Sequence, residues 1–71
     1  MSAPIEPSDR LRYQTYLESE LEAAGMYKIL LDSEPNLARR DIFKQLFESE
    51  MKHADRWAKK LGIDNSDVKP I

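Results

Sequence analysis

Glu20, Glu50 and His53 are the residues of this 71-residue chain whose types and spacing can do chemistry. At about 100° per residue, Tyr13, Tyr16, Ala24, Tyr27 and Leu31 all fall within about 40° of Glu20, so a carboxylate is expected in the middle of an apolar helical stripe. On the second helix Phe43, Leu46, Ala54, Trp57 and Leu61 fall within about 40° of Glu50, and His53 lies about 60° round on the same flank. Glu20 and Glu50 each stand fifteen residues from Pro35. A hairpin folding at Pro35 therefore sets them level, each roughly 22 Å from the turn at 1.5 Å per residue. Two level carboxylates on apolar faces repel each other and lose water at a cost, and a cation between them removes both penalties.

Glu50-x-x-His53 is an i, i+3 pair, so both side chains leave one face of the helix, as in carboxylate-bridged di-iron bundles. Carboxylate oxygens with one imidazole suit iron or manganese, and zinc accepts the same donors. One hairpin offers three ligands, whereas the di-iron bundle uses four Glu and two His. Two hairpins related by a two-fold axis supply that set. The metal-free alternative is a helical dimerisation module in which Glu20, Glu50 and His53 form a polar network that fixes register. Tyr27, two turns after Glu20, reads either as a hydrogen-bond donor or redox partner to a ligand carboxylate, or as plain core. Tyr13, Tyr16 and Trp57 read as packing or interface residues, and Glu18, Glu22, Glu34 and Glu48 as solvated surface acids.

The elements that must position these residues are helices. Gly occurs twice and Pro four times, and strand-like alternation is absent, so the class is all-α. Residues 1–8 read as an irregular lead-in carrying Pro4 and Pro7. The first helix is expected over about 9–33, capped by Ser8 or Asp9, and ends before Pro35. The second is expected over about 36–61, with Pro35 opening it and Gly62 closing it. The helical unit is thus 9–62, an antiparallel hairpin, and 63–71 reads as a tail or linker. A chain this short rarely stabilises itself with one core. There is no cysteine, so disulfides and thiolate sites are excluded and a homodimer forming a four-helix bundle is expected. Net charge is −2 with the signs interspersed, which argues against a nucleic-acid partner. No apolar run suits a membrane helix and no signal peptide is evident, so the expected setting is the cytoplasm.

The stretch from Tyr13 to Leu61 resembles the ferritin-like superfamily, in its rubrerythrin-like branch. The resemblance is carried by Glu20 and Tyr27 in ELEAAGMY and by Glu50-x-x-His53 in FESEMKHADRW. The Glu-to-Glu spacing of 30 and Glu-to-His spacing of 33 are similar to those of two-helix encapsulated ferritins. The pattern is also similar to the ferritin-like domain fused to membrane proteins of the vacuolar iron transporter family. The resemblance implies Glu20, Glu50 and His53 as iron ligands, with one Glu bridging two irons and Tyr27 supporting them. It implies a di-iron ferroxidase serving iron storage, detoxification or transport. It also implies a native context beside a membrane transporter domain or inside a protein shell. Unlike full rubrerythrins, the chain carries one ligand set and no cysteine-held iron.

Overall fold

The computed structural model describes residues 5–71; residues 1–4 of the expected lead-in lie outside the described residues. Two helices, α1 (Pro7–Ser33) and α2 (Leu37–Leu61), pack against each other, and a short 3-10 turn spans Asn65–Asp67. Among the described residues there is no strand, and no helix is long and apolar enough to cross a membrane.

The helix ends follow from local chemistry, with two differences from the sequence-based expectation. α1 starts at Pro7 rather than at a Ser8 or Asp9 cap, and Glu6 precedes it without a side-chain cap bond. Proline's fixed φ and missing N–H suit the first helical turn. Asp9 instead favours the positive end of the helix dipole and pairs with Arg12. At the turn, Pro35 does not open α2. Asn36 is its N-cap, and the Asn36 side chain accepts from the Arg39 N–H at 3.1 Å. The Asn36 N–H in turn donates to Glu34 Oε1 at 3.0 Å. Glu34, one of the surface acids, therefore closes the turn. α2 ends at Gly62 with φ 75°, a left-handed position that glycine takes without strain. Here the Ile63 N–H reaches the Ala58 carbonyl at 2.9 Å and the Gly62 N–H the Lys59 carbonyl at 3.2 Å.

Residues 63–71 do not hang free. Asp64 Oδ1 accepts from the Ser66 N–H and Oγ at 2.9 and 3.0 Å, which nucleates the short turn. Ile63 and Val68 then pack on the core. The Ile71 N–H donates to the Leu21 carbonyl at 3.0 Å. A Cβ on Gly25 would lie 1.7 Å from the Ile71 carbonyl oxygen, so the close approach of the tail requires glycine there.

The buried core is Leu17, Leu21, Ala54, Ala58 and Leu61, with Tyr13, Met51 and Trp57 packed against it. Its placement corrects the expectation of acids centred in the seam. The buried residues of α1, Leu17, Leu21, Ala24 and Gly25, all fall between about +40° and +140° from Glu20. Those of α2, Ala54, Ala58 and Leu61, fall between about +20° and +80° from Glu50. A two-fold axis normal to the hairpin swaps antiparallel helices, so the same-signed flanks share one face. Alanines let the helices close tightly there, and the tail covers that face. Glu20 and Glu50 are half-buried at the edge of the seam. On the opposite face Tyr16, Leu30, Ile42 and Leu46 are exposed.

Candidate metal centre

α1 and α2 bring Glu20, Glu50 and His53 together. Each offers one donor atom within 4.8 Å of the other two. His53 Nδ1 stands 3.5 Å from Glu20 Oε2, with the two side chains 43% and 25% exposed. The convergence follows from the equal distance of both acids from the turn, and from His53 lying one turn along from Glu50 on the face turned toward α1. Neither Lys28 nor Arg39 neutralises Glu20. Lys28 Nζ is held by Asp32 Oδ1 at 3.1 Å, and Arg39 Nη1 lies 4.0 Å from Glu34 Oε1.

The electrostatics centre on Glu50, whose carboxyl is raised above its ordinary range. The largest cause is hydrogen bonding with the Glu20 carboxyl, which requires one of the two to hold a proton. Loss of water and repulsion from Glu20 add to the effect, and His53 opposes it. Two carboxylates and an imidazole crowded at one edge, one of them reluctant to ionise, make a donor set that a divalent cation relieves. Oxygen and nitrogen donors of this kind fit iron, manganese or zinc.

Tyr27 is not joined to the group. It is half-buried two turns nearer the hairpin turn and makes no side-chain hydrogen bond among the described residues. Tyr13, Tyr16 and Trp57 form a stack. The Trp57 ring centroid lies 5.4 Å from that of Tyr13 and 4.9 Å from that of Tyr16. Lys60 Nζ sits 5.6 Å from the Tyr13 ring centroid. Helical spacing was enough to place these rings on the right faces, but mutual contact depended on the register between helices. A separate groove of about 680 Å³ is lined by Phe47, Met51, Asp55, Arg56, Lys59 and Val68, and none of the three donors borders it. Val68 of the returning tail forms one wall of it, which the residue pattern did not signal.

The fold and site together define a helical hairpin presenting a two-carboxylate, one-imidazole group at the edge of an open apolar face. Compared with protein-family models, curated proteins and solved structures, the chain matches none.

Proposed function

We propose that the hairpin is an iron-binding half-site that a second copy completes, giving a di-iron centre with ferroxidase activity. The observation that carries this reading is the convergence of Glu20, Glu50 and His53 from two helices to within 4.8 Å. Manganese or zinc fits the same donors. Its placement adds support, because the group borders the face that exposes Tyr16, Leu30, Ile42 and Leu46. A second hairpin on that face covers apolar surface and doubles three donors to four Glu and two His in a four-helix bundle.

In this reading Glu20, which neighbours both His53 and Glu50, would hold the metal together with them. Glu50 would ligate as carboxylate and His53 as neutral imidazole, so protons compete with the cation. Iron held there would supply electrons for reducing oxygen or peroxide, and the four carboxylates of the paired hairpins would favour the ferric product by charge. Tyr27 makes no side-chain hydrogen bond among the described residues, and in this reading its part is to line the approach to the centre. The likeness to ferritin-like domains of iron transporters suggests iron capture for a neighbouring membrane domain or within a protein compartment, in a cytoplasmic setting. The test is anaerobic addition of Fe(II), then oxygen, followed by near-ultraviolet absorbance. Rapid growth of a ferric band that Glu50→Ala abolishes supports the reading, and a band unchanged in Glu50→Ala contradicts it.

The Glu20–His53 contact at 3.5 Å also favours a second reading, a metal-free dimerisation module whose polar network fixes register. Mass action separates the two: a ligand site raises the melting temperature as Fe(II) or Mn(II) is added, and a register lock does not respond.

A further inference from the structure

The groove along α2, about 680 Å³ in volume, falls within the roughly 300–1,000 Å³ of small-molecule sites. Phe47, Met51 and Val68 give it apolar walls, and methionine adapts its shape to what it meets. Met51 and Val68 also pack on the core, which anchors those walls. The charges around them do not balance. α2 carries seven Lys and Arg against four Asp and Glu, although the whole chain stands at −2. Three of these cations, Lys52, Arg56 and Lys59, line the groove. Lys59 Nζ is held by Asp55 Oδ2 at 3.1 Å. Lys52 and Arg56 pair with no carboxylate among the described residues. They stand four residues apart on one helix, so their side chains are neighbours and can grip one anion together.

We propose that this groove binds a free fatty acid, a single alkyl chain ending in one carboxylate. The carboxylate sits between Lys52 and Arg56, where the guanidinium can donate two parallel hydrogen bonds to it. The alkyl chain lies along Phe47, Met51 and Val68 and leaves water there. The acids of the groove limit the charge it accepts. Glu48 pairs with no cation among the described residues, and Asp55 Oδ1 is buried without a hydrogen-bond partner. A second negative charge on the ligand would meet these oxygens uncompensated, so a monoanion is favoured over a phosphate dianion. Glu20, Glu50 and His53 do not border the groove, and the proposal stands whether or not they hold a metal.

The experiment titrates the whole chain, without metal, with decanoate below its micellar concentration, followed by calorimetry and two-dimensional NMR. Saturable binding of one decanoate per chain is expected, with the largest shifts at Phe47, Met51 and Val68. Lys52 and Arg56 are exposed, so Lys52→Gln combined with Arg56→Gln leaves the helix intact. That double variant is expected to weaken binding about ten- to hundredfold, the loss of hydrogen bonds to a charged group. Hexanoate, with less chain to bury, and decyl phosphate as its dianion are both expected to bind more weakly than decanoate. Equal decanoate affinity in the double variant, or shifts confined to Tyr16, Leu30 and Leu46 on the open face, overturns the proposal. Binding to vesicles of anionic phospholipid with none to free decanoate also overturns it, and makes the groove a membrane contact.

Discussion

The two faces of this hairpin differ in what closes them. On one, the chain covers itself: Ile63 and Val68 pack on the core and Ile71 meets Leu21 and Gly25. On the other, Tyr16, Leu30, Ile42 and Leu46 stay exposed, with Glu20, Glu50 and His53 along the edge. Residues on the closed face are there for stability. The open face carries apolar side chains and crowded carboxylates where a single hairpin gains little from either, which is what the proposed metal and second copy would account for.

Substitutions on the two faces separate these roles. Leu21→Ala removes a buried side chain under the tail and is expected to cost about 2–4 kcal/mol in urea unfolding. If it costs no more than a surface change, the closed face is not the core. Gly25→Ala puts a Cβ into the Ile71 carbonyl and forces the tail away, with an expected loss of about 1–3 kcal/mol. Hydrogen exchange at residues 63–71 should quicken in that variant, and unchanged protection there would mean that the tail docks elsewhere. On the open face, Leu46→Glu is expected to stay within about 0.5 kcal/mol for the isolated hairpin. It should nevertheless abolish self-association in sedimentation, and an intact dimer would place the interface on some other surface.

The smallest effect concerns the proton on Glu50. Because its folded carboxyl is raised, the folded state holds this proton more tightly than the unfolded chain does. That contribution to stability is fully present below the ordinary carboxylate range and is lost as pH rises through the raised value. Glu50→Gln should remove this segment of the pH dependence without metal and leave neutral-pH stability unchanged or slightly higher. Metal affinity of the unaltered chain should fall with falling pH as protons compete for the carboxylate. Affinity that stays flat while Glu50 titrates would argue that Glu50 is not a ligand.

Much of the hairpin was legible because the signals are local. Pro35 bounded the turn, Gly62 marked the end of α2, and equal spacing from the turn made Glu20 and Glu50 level. What was not legible depended on contacts distant in sequence. An angular plot shows a stripe but not which half of it the neighbouring helix occupies. The alanines at 24, 54 and 58 and the returning tail shifted the seam to one side and left the acids at its edge. Nothing in the sequence pattern singles out Gly25, and only the position of Ile71 explains it. The Asn36 cap is masked in the sequence by Pro35, which suits the neighbouring helix-opening role.

Glu20, Glu50 and His53 are proposed as half of a metal site that a second copy completes. Anaerobic Fe(II) titration of the unaltered chain and of Glu50→Ala, each followed by sedimentation, tests it most directly. Saturation at one Fe(II) per chain in a dimer is expected for the unaltered protein, with loss of binding in Glu50→Ala. Saturable Fe(II) binding of equal affinity in Glu50→Ala, or binding by a chain that stays monomeric, would contradict it.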